Sequence, residues 1–151
     1  MTLKVRIKKL HPDAKMPVRA TSGSLCYDLY ALDDGKPHPS DDHATHYRTG
    51  LAFECDPGWG FKVHSRSGHG FKSALRLSNS TGLIDCDYRG EVQVSMRFDA
   101  SGSHRAKKLR AGDCIAQIEF IRQVDAEFEV VDELGDTSRG AGGFGSTTEA
   151  M

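Results

Sequence analysis

The chain has 151 residues, 38% of them hydrophobic and 27% charged. That size and balance suit one globular domain whose core closes without disulfide or metal staples. Its 20 basic and 21 acidic residues leave a formal net charge of −1, so the basic excess of a general nucleic-acid surface is lacking. Apolar runs reach only a few residues, against the ~20 that a membrane-spanning helix requires. The start Leu3-Lys4-Val5-Arg6 alternates apolar and charged side chains, unlike a secretion signal. A soluble, cytoplasmic protein is expected, with neither membrane nor nucleic acid as partner.

Leu3, Val5 and Ile7 alternate with Lys4, Arg6 and Lys8, the period of a strand with one buried face. His11-Pro12-Asp13 ends it. Tyr27 to Leu32 predicts a second strand. The polar stretch from Asp33 to Thr45 predicts a surface loop, and its His38, with His43 and the adjacent His46, lacks the ordered frame that tetrahedral zinc needs. Leu51, Phe53 and Cys55, the turn Asp56-Pro57-Gly58, then Phe61 and Val63 predict a hairpin over 49–64. A short helix is predicted near Gly70–Leu77. Val92, Val94, Met96 and Phe98 alternate with polar residues in the cleanest strand pattern of the chain. Ile118 and Phe120 predict another strand, and Phe128 with Val130 a last short one. Cys26, Cys55, Cys86 and Cys114 stand singly and are read as reduced thiols in preference to two disulfides.

Many short strands separated by close turns predict an all-β fold: a jelly-roll-like distorted barrel with at most one short helix. The C-terminus differs in kind. Five of the 16 glycines lie between Gly135 and Gly145, where apolar groups are too few to offset the entropy of ordering. A β domain over 1–135 and a mobile glycine-rich tail over 136–151 are expected. The tail is either frayed or orders over a ligand, its glycines bringing backbone amides close to phosphate oxygens.

Three constellations could carry chemistry. In Asn79-Ser80-Thr81-Gly82-Leu83-Ile84-Asp85-Cys86-Asp87-Tyr88-Arg89-Gly90-Glu91-Val92, Asp85 and Asp87 are two apart and would share a face of an extended backbone. Such a pair suits a hard metal, a general base with a structural partner, or merely a polar turn. Arg66-Ser67-Gly68 offers a guanidinium, a hydroxyl and an unhindered amide, a weak but suitable phosphate contact. Gly112-Asp113-Cys114-Ile115-Ala116-Gln117 reads as a turn entering a strand, with Gln117 on its surface.

Taken in order, Leu25 to Ala31, Ser65 to Gly68, Gly82 to Gly90, Gly112 to Gln117 and Arg139 to Ser146 resemble the five motifs of the trimeric dUTPase family. The resemblance runs from about residue 20 to 148, and the third and fifth motifs are its most specific. It implies hydrolysis of dUTP to dUMP and pyrophosphate with Mg2+, in a homotrimer with shared active sites. That activity limits uracil incorporation into DNA and supplies dUMP for thymidylate synthesis. Position by position, Asp85 resembles the residue that activates water for attack on the α-phosphorus. Tyr88 resembles the ring beneath the deoxyribose. Asn79, with Leu83, Ile84 and the returning strand near Gln93, resembles the hairpin that reads uracil. Arg66, Ser67, Gly68 and Gln117 resemble the phosphate contacts. Arg139, Ser146 and Thr147 would hold the γ-phosphate while Phe144 covers the uracil, and Gly145 between them would also belong to the substrate-binding set. Asp28 resembles a carboxylate reaching the metal only through water, the Mg2+ being held mainly by the triphosphate.

Departures from the family pattern are Ser65 for a proline, expected to loosen its turn, His69 for a leucine, Cys26 for a small residue, and Cys86 at a variable position, expected to be an inert thiol. The alternatives are a dCTP deaminase-like enzyme, which would call for a glutamate acting on the base, and a nucleotide-gated regulatory module that keeps the pocket without the chemistry.

Overall fold

Alternating side chains build most of the molecule. In the computed structural model, which describes residues 2–99 and 108–143, ten strands and one helix are formed among the described residues. β1 (Val5–Lys9) pairs antiparallel with β5 (Leu51–Cys55) in a two-stranded sheet. A second sheet has the order β2 (Tyr27–Tyr30), β10 (Cys114–Arg122), β6 (Trp59–His64), β8 (Thr81–Ile84). The third runs β3 (Lys36–His38), β4 (Asp41–Arg48), β9 (Gln93–Phe98), β7 (Leu75–Leu77). Every pairing is antiparallel, the all-β, jelly-roll-like architecture expected.

One core joins the sheets. Leu29, Phe61, Ile115 and Ile118 from one sheet meet Leu77, Val94 and Met96 from another, with Leu51 and Phe53 of β5 between them. In β9, Val94 and Met96 are buried while Gln93, Ser95 and Arg97 face outward, as the period predicts. The turn expected at Asp56-Pro57-Gly58 forms, the Trp59 amide donating to the Asp56 carbonyl at 3.2 Å and Gly58 taking a φ of 79° that suits glycine. But 49–64 is not the hairpin expected: β5 pairs with β1 and β6 with β10 and β8, so the turn carries the chain from one sheet into another. Gly50 is likewise left-handed at φ 69°, and a Cβ there would lie 2.8 Å from that of Ala14.

Four further expectations are corrected. Residues 36–48 form the β3–β4 hairpin, not a loop. It is polar along its length but pairs with β9 from Ala44↔Arg97 to Arg48↔Gln93 and buries Ala44 and Tyr47. The helix α1 spans Ser67–Ser73; Ala74 turns left-handed and Leu75–Leu77 pass into β7. Phe128 and Val130 form no strand: they are 93% and 100% exposed, on a segment that finds no ladder partner among the described residues. Asp85 and Asp87 do not share an extended face, because the backbone closes a turn there in which the Tyr88 amide donates to the Asp85 carbonyl at 3.2 Å. The four cysteines are free thiols.

Candidate active site

The β7–β8 connection is a tight turn. Ser80 adopts φ 63° and its amide donates to the Leu77 carbonyl, which sets Asn79 at the mouth of a cavity of about 490 Å3. Asn79, Gly82, Leu83 and Ile84 line one side and Gln93, Val94 and Ser95 the other. β8 and β9 belong to different sheets, so backbone along this gap is open to a planar ligand. The cavity thus brings together Asn79, Leu83, Ile84 and Gln93. His38 and His46, unforeseen there, form its far wall, their rings stacked at 4.4 Å between centroids.

Past β8 lies the turn bearing Asp85, exposed on the rim of a second cavity of about 510 Å3 that Leu83 and Ile84 also line, together with Gly60, Cys86 and Asp87. The turn is well braced. Arg89 donates to the Cys86 carbonyl at 2.6 Å, and the Tyr88 hydroxyl donates to the Glu91 carbonyl at 3.2 Å. The phenol end of Tyr88 occupies the space a side chain at residue 90 would need, which only Gly90 leaves open. Glu91 in turn accepts from the Gly50 amide at 2.7 Å and pairs with Arg48 at 3.0 Å. Cys86 packs against the core, and burial pushes the nearby Cys55 thiol up.

A third cluster forms where β6 leads into α1. Arg66, Ser67, Gly68, His69, Lys72 and Gln117 line a cavity of about 410 Å3. Asp28 on β2 stands opposite Gln117 in the ladder and places its carboxylate 3.6 Å from the Arg66 guanidinium. Gln117 donates to the Ser65 carbonyl at 3.3 Å, and the Ser65 hydroxyl accepts from the Leu77 amide at 2.9 Å. Ser65 therefore ties the turn to β7, contrary to the loosening expected of it. Burial pushes the Cys114 thiol up to about 12, Arg66 opposing and Asp28 reinforcing the shift, so Cys114 stays protonated beside this cluster.

His69 and Lys72 were not foreseen. His69 is buried and bonds through Nε2 to the Cys114 carbonyl at 2.8 Å, tying α1 to the strand that carries Gln117. Lys72 follows Gly68 by four residues and His69 by three, the spacings that make helix positions neighbours, a relation legible only once the helix begins at residue 67. Arg139 lies on the exposed segment after β10 and bonds locally to the Gly142 carbonyl at 2.8 Å. Phe144, Gly145, Ser146 and Thr147 lie outside the described residues.

One chain does not bring these parts together. Asp85 follows Ile84, which pairs with Phe61, whereas Gln117 pairs with His64 at the other end of β6. Gly60 and His64 are four residues apart, about 13 Å at ordinary strand rise. The Asp85 turn and the Arg66–Gln117 cluster thus occupy opposite ends of one sheet. Among the described residues no three His, Cys, Asp or Glu side chains converge to hold a metal ion.

A sequence model of the dUTPase family matches residues 12–148. The deoxyuridine 5'-triphosphate nucleotidohydrolase of Nautilia profundicola is 39% identical over 145 residues, 96% of this chain and 99% of that protein. The enzyme of the same name from Helicobacter pylori strain J99 is 37% identical over 147 residues, 96% and 97% of the two chains. In fold, a variant of the staphylococcal phage 80alpha dUTPase with dUpNHpp matches at TM-score 0.77 and 22% identity, over 95% of this chain and 98% of that one. A phage phi11 dUTPase variant described with a structural Mg(II) ion matches at TM-score 0.66 and 21% identity, over 86% and 97%. With one family's pattern running through all three clusters, and relatives aligned over nearly their whole length, the chain belongs to the dUTPase family.

Proposed function

We propose that this protein hydrolyses dUTP to dUMP and pyrophosphate, with Asp85 directing a water at the α-phosphorus. The observation that carries the proposal is the Asp85 turn: an exposed carboxylate on a backbone braced by Arg89, Tyr88 and Glu91, next to an open, base-sized cavity with Asn79 and Gln93 among its lining residues. The new bond joins the water oxygen to the α-phosphorus as the bond to the bridging oxygen breaks, and pyrophosphate departs. Asp85 takes the water's proton and fixes its line of approach. Asn79 and the open backbone of β8 and β9 would read the uracil edge, where cytosine would leave buried polar groups unpaired. Tyr88, 44% exposed, would underlie the sugar.

Arg66, Ser67, Gly68 and Gln117 would hold the phosphates, and since they lie at the far end of β6 they would come from another copy. A homotrimer with shared sites accounts for this separation. It also accounts for the exposed apolar side chains of Val124, Phe128, Val130 and Leu134 beyond β10, a segment suited to packing on a neighbour. The tail over 136–151, including Arg139, Phe144, Gly145, Ser146 and Thr147, would then close over the nucleotide as a unit separate from the 1–135 domain. For Mg2+, the donor set fits an ion carried on phosphate oxygens, with Asp28, already beside Arg66, reaching it through water. When bound, such an ion neutralises charge on the phosphates.

Pyrophosphate release measured across all deoxynucleoside and ribonucleoside triphosphates tests the proposal. Release confined to dUTP, and lost in Asp85→Asn by at least about a hundredfold, supports it. Release from dUTP that persists in Asp85→Asn overturns the role of Asp85, and no release from dUTP by the unaltered protein overturns the activity.

A further inference from the structure

The Arg66–Gln117 cavity holds more positive charge than the phosphate contacts named so far supply. Arg66 lies 3.6 Å from the Asp28 carboxylate, so that pair nearly cancels at the distance of a ligand. Ser67 and Gln117 carry no charge. His69 spends its Nε2 on the Cys114 carbonyl. Lys72 remains: it lines the same cavity, is exposed, and forms no ion pair among the described residues. We propose that Lys72 is a further binding residue for the phosphate chain of the nucleotide, supplying the net positive charge of this cavity; the assignment to a nucleotide rests on the dUTP-hydrolysing reading above.

Two features of the fold put the ammonium there. Lys72 lies one helical turn beyond Gly68 and His69 on the face of α1 that closes the cavity. The helix itself is pinned by the His69–Cys114 bond to the start of β10, three residues before Gln117, so the Lys72 backbone is fixed relative to the amide on the opposite wall. The flexible four-carbon stem lets the ammonium follow a ligand's charge without demanding the fixed geometry of a guanidinium fork. Its contribution should therefore scale with ligand charge and fall with salt, as for a solvent-facing cation.

The test measures binding of dUpNHpp, dUMP and inorganic tripolyphosphate to the unaltered protein and to Lys72→Gln and Lys72→Arg, at low and high salt, with thermal unfolding as a control on folding. In Lys72→Gln, dUpNHpp and tripolyphosphate should each bind about tenfold more weakly at low salt. The loss should be smaller for dUMP, should shrink at high salt, and should be largely restored in Lys72→Arg. Unchanged tripolyphosphate and dUpNHpp binding in Lys72→Gln would overturn the proposal. So would an equal loss for dUpNHpp and dUMP that salt does not alter, which marks a structural effect. Because tripolyphosphate carries no base, its response judges Lys72 even if the unaltered protein releases no pyrophosphate from dUTP, which is the separate result that removes the nucleotide.

Discussion

Gly60 has no room for a side chain: a Cβ there would lie 2.7 Å from the Ile84 carbonyl oxygen and 3.9 Å from the Asp85 Cα. The obstacle is backbone, which cannot rotate aside as a side-chain tip can. Gly60→Ala should push the end of β8 outward, at a cost of about 1–3 kcal/mol in stability. It should also lower kcat for dUTP more than it raises KM, since the displaced group is Asp85. Denaturant unfolding and steady-state kinetics check both parts. At this scale much of the site was legible. Asp85, Arg66 and Gln117 stand in recognisable runs, and the structure places Asn79, Leu83, Ile84 and Gln93 on one cavity. The turn that separates Asp85 from Asp87 was not legible, because spacing of two implies a shared face only on extended backbone.

Among the elements, α1 shows how a boundary decides function. Glycines at 68 and 70 argue against a helix beginning at 67, and the apolar Leu75 and Leu77 suggest that it continues. The chain instead breaks at Ala74, φ 48°, whose amide caps the turn by donating to the Gly70 carbonyl at 3.1 Å. An alanine there carries backbone strain that glycine would relieve, so Ala74→Gly should stabilise the fold by about 0.5 kcal/mol after the entropy gained by the unfolded chain is deducted. Chemical denaturation resolves that difference. The β3–β4 hairpin escaped the sequence reading for another reason: its only fully buried side chains are Ala44 and Tyr47, and its partner β9 is some fifty residues away in the chain.

Ion pairs stitch strand edges and give the elements a pH dependence. The Arg6 side chain, bonded to Glu54 across β1–β5, holds the Glu54 carboxyl below its usual range, and Arg76 does the same to Asp99 across β7–β9. Folded values below the unfolded ones mean that the unfolded state binds more protons as the pH falls. This contribution is therefore complete above the unfolded carboxylate value, roughly 4, and is lost as the pH drops through the folded one. Thermal stability should decline in that acidic range. The double variant Glu54→Gln, Asp99→Asn should show a shallower decline, and added salt should shrink the difference because both pairs face solvent.

In the molecule as a whole, the open question is where a complete site comes from. A jelly-roll-like barrel was predictable from period and turn spacing, but the distance between the Asp85 turn and the Arg66–Gln117 cluster was not, because it is set by the registers of β6 with β8 and β10. Nor could periodicity reveal that the Phe128–Val130 alternation would find no ladder partner among the described residues. Under the proposed function, those exposed apolar residues and the divided site would share one explanation, association with further copies, each lending the part its neighbour lacks.

Mixing two inactive variants tests that account most directly. Asp85→Asn and Arg66→Gln should each release almost no pyrophosphate from dUTP alone. Unfolded together in equal amounts and refolded, they should regain about a quarter of the unaltered activity, because one site in four would draw both intact residues from different chains. A mixture no more active than its parts would contradict the shared site and place Asp85 and Arg66 of the same chain in one pocket.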